Sequence, residues 1–385
     1  MLRIGFYAPF KPLSHPRPSG DLTIGTGLYH YLQQCGHSLG VMSRFRARWV
    51  YWRPWLWPRA MLALQRSCQR ARQMQVDLWL SYHTYYKAPD IIGPFCCRRL
   101  QIPYLIFQGI YSTKRKKDWR TWPGFMLNRH ALLAAAHVFT NRKEDLLNLE
   151  RLLPQEKLSY IVPGLEPDRF QFDPMAREQL RHEWGITDEV VVLSAAMFRP
   201  GVKSDGIGLV IRCCGKLRQK NNSIYLAIAG RGSEKRTLER LAKGWLQDRV
   251  RFVGQVPREE MYRFYSAGDL FLFPGIRESL GMVFLEAQSC GLPVVAFADG
   301  GVPEVVANGV SGLLVEPYST EQLIAATEKL VLDRQQRYQM GQAAQQYVRQ
   351  HHDLLRNYGR VNEIICETAR TAERAAAKRS PGYCQ

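Results

Sequence analysis

Glu278 and Glu286 stand eight residues apart in the stretch from Phe273 to Ala296. The apolar run from Leu270 to Phe273 predicts a buried strand, and Pro274 with Gly275 predicts a turn. Gly281 to Ser289 then predicts a helix that stops at Gly291, Leu292 and Pro293. The intervening loop presents the Glu278 carboxylate and unpaired backbone N–H groups around Leu280, Gly281, Met282 and Val283. N–H groups at the start of a helix favour anionic oxygens, phosphate above all. Glu286 falls near the middle of the helix, where two acceptor oxygens suit a pair of sugar hydroxyls. A phosphate cradle beside a diol binder outlines a nucleotide-sugar site.

The elements that must hold these groups follow from the rest of the pattern. Short apolar runs alternate with helix-like segments in both halves, which predicts an α/β fold of parallel sheets with crossover helices. Strands are expected near 2–7, 38–42, 78–82, 104–108, 137–140 and 158–162, then near 190–195, 224–229, 250–253, 270–273, 294–297 and 313–315. Helices are expected over 320–332, 335–350 and 354 to about 371, with a frayed extension over 367–385. The switch between halves is expected within 163–184, where Pro163, Gly164, Pro167 and Pro174 interrupt regular structure. Ligands of doubly wound sheets sit beyond the carboxyl ends of the strands.

A run of motifs in fixed order makes the reading more specific. After the two glutamates come Pro293-Val294-Val295-Ala296, then Gly300-Gly301-Val302-Pro303-Glu304-Val305, then Gly309-Val310-Ser311-Gly312-Leu313-Leu314-Val315. With this set the chain resembles the family 4 glycosyltransferases of GT-B fold, most densely in its C-terminal half. The resemblance implies two doubly wound Rossmann-like domains facing across a cleft: an acceptor domain over 1–165, a donor domain over 166–350, and a last helix over 351–385 that crosses back. It also implies retaining transfer of a sugar from a nucleoside-diphosphate sugar. Glu286 then corresponds to the residue that holds the ribose hydroxyls. Glu278 corresponds to one beside the transferred sugar, which it hydrogen-bonds or whose developing positive charge it steadies; its charge also suits the helix N-terminus.

Departure of a nucleoside diphosphate leaves negative charge that a metal ion or fixed positive groups must absorb. The sequence has no Asp-x-Asp and no cluster at metal-ligand spacing, so neither metal nor cofactor is expected. Arg199 and Lys203 match the family's diphosphate-binding Arg and Lys, with Ser204 where a glycine usually follows the lysine. Arg231, between Gly230 and Gly232, either approaches the donor or rides on a purely structural turn. Phe252 to Val256 resembles the segment whose backbone meets the nucleobase, which makes Val256 a donor contact.

In the N-terminal half the family places a Gly-rich loop after the first strand. Here Pro18 to Tyr29 occupies that place, with Gly20 able to let backbone approach phosphate. Asp21 follows where a second glycine is usual; it either binds acceptor hydroxyls or caps the next helix. Gln108 stands where many family members carry a histidine, and His83 is the other acceptor-side candidate. If neither acts as a base, the leaving phosphate oxygen can take the acceptor's proton and the protein's task is positioning.

Charge is distributed unevenly. Residues 1–165 hold 24 Lys+Arg against 8 Asp+Glu, whereas 166–385 hold 29 against 26. The +19 excess is therefore almost wholly N-terminal and implies an anionic partner there. Residues 44–72 carry eight arginines and no acidic residue, interleaved with Trp49, Tyr51, Trp52, Trp55 and Trp57. Residues 114–122 add Lys114, Arg115, Lys116, Lys117, Trp119, Arg120 and Trp122. Arginines meeting phosphates with Trp at headgroup level suit an anionic bilayer, and with it a lipid-linked glycan acceptor.

No run reaches the ~18–20 apolar residues of a membrane-spanning helix, so a peripheral protein on the inner face of the cytoplasmic membrane is expected. Nine cysteines without a Cys-x-x-Cys pair suggest reduced thiols, in keeping with the cytoplasm. Two competing readings are a nucleotide-sugar epimerase of related fold and a non-catalytic nucleic-acid binder. The basic aromatic surface argues against the first. The donor motifs and the lack of any recognised nucleic-acid module argue against the second.

Overall fold

The computed structural model of the chain describes residues 1–15, 20–220 and 223–379. It divides into two compact units, Met1–Val162 together with the chain from Leu355 onward, and Pro163–Leu354.

The first unit opens with β1 (Arg3–Tyr7), α1 (Gly20–Gln34), β2 (Ser38–Ser43), α2 (Trp57–Gln73) and β3 (Leu78–Thr84). It continues with α3 (Gly93–Leu100), β4 (Tyr104–Gly109), α4 (Trp122–Ala134), β5 (His137–Thr140), α5 (Lys143–Leu149) and β6 (Leu158–Tyr160). Its strands form one parallel sheet in the order β2-β1-β3-β4-β5-β6.

In the second unit α6 (Pro174–Glu183), β7 (Val190–Ala195), α7 (Val202–Gln219), β8 (Ile224–Ala229) and α8 (Lys235–Leu246) come first. Then follow β9 (Val250–Gly254), α9 (Met261–Ser266), β10 (Leu270–Leu272), α10 (Met282–Ser289), β11 (Val294–Phe297) and β12 (Gly312–Val315). Helices α11 (Thr320–Leu332) and α12 (Arg334–His351) close this unit, and α13 (Leu354–Arg379) belongs almost entirely with the first. The second sheet is also parallel, in the order β12-β11-β10-β7-β8-β9.

The sequence explains these elements locally. Central strands β7 and β8 are near-continuous apolar runs because helices cover both faces of a parallel sheet, and they are almost wholly buried. Asp173 caps α6 by accepting from Ala176 N at 3.0 Å, with Pro174 pre-set for the first turn. Ser319 and Asp333 cap α11 and α12 in the same way.

Three expectations need correction. Gly20 and Asp21 lie in the first turn of α1 and not in a loop, while Pro18 and Ser19 fall outside the described residues. Helix α13 stays regular to Arg379 in place of fraying from Glu367, and residues 380–385 are outside the description. Cys68 and Cys96 form a disulfide, their Cα atoms 5.3 Å apart, because α2 and α3 pack together on the sheet. The expectation that every thiol is reduced fails at this pair, and the cytoplasmic placement loses that support. Nothing in a 28-residue separation announces the bridge.

Asp269, just before β10, ties α6 to the sheet. It meets Arg177 at 2.6 Å and Arg181 at 3.0 Å and accepts Val191 N at 2.7 Å. Burial pushes its pKa up, but Arg177 and the Val191 N–H outweigh burial, so the carboxyl titrates below its ordinary value. A depressed folded pKa contributes stability above the unfolded value of about 4 and loses it as pH falls through the folded value. Asp269→Asn should therefore lower unfolding free energy by about 3 kcal/mol at pH 7. In urea titrations the gap to wild type should narrow as pH drops below about 4; a gap independent of pH would contradict this.

Candidate functional site

In the second sheet the chain order reverses between β7 and β10. Crossovers on either side of such a switch point leave to opposite faces, so the two loops at the carboxyl ends part and open a crevice. The loop 196–201 leaves β7, and the loop 273–281 leaves β10. Lys203, in the first turn of α7, and Glu278, in the β10 loop, are ion-paired across this point through Nζ and Oε2. The Lys203 ammonium also sits 5.4 Å from the centre of the Phe273 ring. Arg199 is exposed, and its guanidinium has no partner among the described residues. The N–H groups of Leu280, Gly281, Met282 and Val283 likewise donate to no described group. The loop thus combines unpaired amides with cations and one carboxylate.

Glycines hold these loops by letting backbone meet backbone. A Cβ at Gly301 would lie 1.9 Å from Ser279 O, and Gly301 N donates to Glu278 O at 2.9 Å. Asp299 adds a carboxylate that accepts Arg277 N at 2.8 Å, fixing a residue with φ of 50°. The motif from Gly300 to Val305 is therefore the support of the Glu278 loop. On the other side, a Cβ at Gly230 would lie 1.9 Å from Ala196 O. Phe198 N donates to Arg231 O at 2.9 Å, and Gly230 N to Gly254 O at 2.7 Å. The Gly-x-Gly turn braces the Arg199 loop while the Arg231 side chain stays exposed. Beside it, Val256 lines a pocket of about 290 Å³ with Leu180, Trp184, Val253 and Phe264.

Glu286 is only 7% exposed, on the inner side of α10. Tyr265 OH donates to its Oε2 at 3.1 Å, and Arg258 stands 3.5 Å from Oε1. Burial raises the carboxyl's pKa; Arg258 and the Tyr265 hydroxyl oppose that rise without cancelling it. Burial and the Glu286 charge together push the Tyr265 phenol well above its ordinary range. Sequence reasoning missed both partners: neither belongs to a motif, and the one hint for Arg258 is its place just after Val256.

The first sheet reverses between β1 and β3, and the acceptor-side candidates gather at its carboxyl edge. Asp21 Oδ1 is paired with His83 Nδ1, and Tyr82 OH donates to Asp21 O at 2.7 Å. The register pairs Tyr82 with Phe107 and Thr84 with Gly109, so His83 and Gln108 lie side by side at the ends of β3 and β4. Both have left-handed backbone, φ 57° and 65°. Gln108 is 6% exposed, with its Oε1 unpartnered among the described residues. Gly20, one residue before Asp21, is exposed, and no atom of the described residues lies within 4 Å of where a Cβ would stand.

The two basic aromatic segments form one surface. Trp52 packs edge to face on Trp119 at 5.6 Å, and its Nε1 donates to Arg120 O at 2.7 Å. Trp55 is 68% and Trp119 69% exposed, with Trp57, Met61, Leu62 and Trp122 also exposed. Trp49 and Tyr51 depart from the expectation: half-buried, they pack on each other at 5.7 Å and help seat the segment. Among the described residues no helix is long and apolar enough to cross a membrane.

Residues 176–347 match the family model of the glycosyl transferases group 1, so this segment is a domain of that family. The whole chain has the GT-B fold. It superposes on the Anabaena protein Alr3699/HepE, crystallised with UDP, with a TM-score of 0.75, covering 95% of this chain and 100% of that one at 18% identity. It is 33% identical over 202 residues to the GDP-mannose-dependent alpha-(1-6)-phosphatidylinositol monomannoside mannosyltransferase of Mycolicibacterium smegmatis, covering 50% of this chain and 52% of that one. It is 34% identical over 207 residues to the D-inositol 3-phosphate glycosyltransferase of the same organism, covering 53% and 45%. The chain thus matches about half the length of these curated relatives.

Gly301→Ala tests the loop support. The added methyl has only Ser279 backbone to displace, so the variant should lose about 1–3 kcal/mol in unfolding free energy. Thermal denaturation would check it; an unchanged midpoint would mean that the loop is not braced there.

Proposed function

We propose that the protein is a retaining, metal-independent glycosyltransferase. On this reading it moves a sugar from a nucleoside-diphosphate sugar to a lipid-linked glycan acceptor, at the anionic inner face of the cytoplasmic membrane. The observation that carries the reading is the second unit's switch point: Lys203 is paired with Glu278, four amides donate to no described group, and the enclosed Glu286 follows Glu278 by eight residues.

Each group then has one task. The amides of Leu280 to Val283, with Arg199 and Lys203, receive the diphosphate and take up the charge released as the bond to the anomeric carbon breaks. Lys203 leaves Glu278 to meet phosphate, which turns the Glu278 carboxylate toward the sugar. Glu286, held by Tyr265 and Arg258, accepts the ribose hydroxyls. Fixed cations do the work a divalent ion would otherwise do, which is the basis for metal independence. Retention follows the family resemblance.

The lipid-linked acceptor draws on two supports. One is the exposed Trp and Arg surface of the first unit; the other is the relative that acts on a phosphatidylinositol-linked mannoside.

Three measurements test the proposal. Purified protein given labelled nucleotide sugars should transfer the sugar, or slowly hydrolyse the donor, with EDTA present, and the product should keep the donor's anomeric configuration. Loss of all turnover in EDTA would remove metal independence. Glu286→Ala should weaken donor binding about tenfold or more, read by thermal shift, with the fold intact. Unchanged affinity would remove Glu286 from the site. Replacing Trp52, Trp55 and Trp57 with Ser should release the protein from phosphatidylserine vesicles; a wild type that never binds them would end the membrane assignment.

A further inference from the structure

We propose that Lys87 and Arg115, gathered on the Tyr86 ring, bind the phosphate that joins lipid to glycan in the acceptor. The inference rests on the transfer reading above and names the charged part of its acceptor: a glycan carried on a lipid phosphate or diphosphate.

The cluster lies wholly in the first unit, where the loops leaving β2, β3 and β4 meet. Backbone contacts tie it together. Trp49 N donates to Lys87 O at 2.7 Å, and a Cβ at Gly124 would lie 2.1 Å from Tyr86 O, so the start of α4 closes on the β3 loop. Two cations converge there. The Lys87 ammonium stands 5.6 Å from the centre of the Tyr86 ring and 5.8 Å from that of Trp49. The Arg115 guanidinium stands 4.6 Å from the centre of Tyr86.

Neither cation has an ion-pair partner among the described residues. Asp118, in the same loop as Arg115, accepts Arg120 N at 2.9 Å and likewise pairs with no described cation. Arg46 and Arg48 lie within electrostatic reach of the neighbouring Tyr85, as does Asp21, which His83 already engages. Like charges held together without a carboxylate repel one another, and a ring face offsets only part of that cost. A bound anion removes the repulsion. Phosphate, with several acceptor oxygens, suits an ammonium and a guanidinium at once. The Tyr51 hydroxyl, enclosed beside Tyr86, donates to no described group and adds an unspent donor.

The neighbours on either side identify what carries the phosphate. Ring contacts run unbroken from His83 through Tyr85, Tyr86, Trp49 and Tyr51 to Trp52, with centroids 5.1–6.1 Å apart. The Trp52 end is apolar and exposed, with Trp119 packed on it. At the His83 end, Gln108 Oε1 and Asp21 Oδ2 are buried without a described partner, and such oxygens take hydroxyl donors. The track is therefore apolar, then cationic, then hydroxyl-accepting. Lipid, phosphate and sugar in that order match it. A free phosphate would use only its middle, and a bilayer surface only its outer end.

Three soluble probes separate these contributions. Monomeric dihexanoyl phosphatidylinositol carries chains, a phosphodiester and a ring polyol; octyl glucoside lacks the phosphate; inorganic phosphate lacks the rest. In calorimetric titrations the full chain should bind the phosphatidylinositol at least about tenfold more tightly than either of the others. Lys87→Gln combined with Arg115→Gln should weaken that binding by about tenfold or more and leave octyl glucoside binding unchanged. Circular dichroism reports the fold of each variant. Should the double variant not fold, Arg115→Gln alone, at an exposed position, should still weaken phosphatidylinositol binding, and Lys87→Arg should retain it.

Equal phosphatidylinositol affinity in the folded variants would overturn the proposal, as would a wild type that does not bind this lipid. Inorganic phosphate binding as tightly as the lipid would also overturn it, by showing a site for a free anion. So would a double variant that loses phosphatidylserine vesicles yet binds the monomeric lipid like wild type, since its cations would then serve the bilayer alone. A wild type that binds the lipid but neither binds nor turns over a nucleotide sugar would instead defeat the transfer reading, which keeps the two failures apart.

Discussion

The structure depends on what parallel strands do at a reversal of winding. Every βα loop of a parallel sheet emerges at one edge, and at the switch point neighbouring loops diverge to opposite faces. In the second unit this sets the loop after β7 beside the loop after β10, and in the first it sets the start of α1 beside the end of β3. Each candidate group at these edges stands there because its strand is a buried apolar run that cannot end elsewhere.

Loops so placed still need fixing, and the molecule fixes them by close backbone approach. Gly301 packs on Ser279, and Gly230 packs on Ala196, at separations no side chain allows. His83 and Gln108, near the carboxyl ends of β3 and β4, and Arg277, in the loop after β10, are non-glycine residues with positive φ. The surrounding sheet must offset the cost of these conformations, which explains why they occur where two braced segments meet.

Charge follows the same economy. The Lys203–Glu278 pair is partly exposed, so it contributes little to stability in itself. Its consequence is positional: a carboxylate and an ammonium wait at one point, either of them able to exchange its partner for an incoming ligand. Glu286 is the contrary case. Its carboxylate is buried, and burial would penalise its charge if Arg258 and Tyr265 did not attend it.

Read residue by residue, the chain already announces its two α/β halves, the placing of Glu278 and Glu286 on a loop and the helix that follows, and the cationic aromatic character of residues 44–72. These are local consequences of hydrophobic period, turn residues and composition. It did not reveal that α1 begins at Gly20, that Trp49 and Tyr51 turn inward, or that Cys68 meets Cys96. Nor could it pair Asp21 with His83, or bring Arg258 and Tyr265 to Glu286, across separations of 62, 28 and 21 residues. Such partners are chosen by strand order and helix packing, because spacing along a chain carries no information about which strand lies next to which.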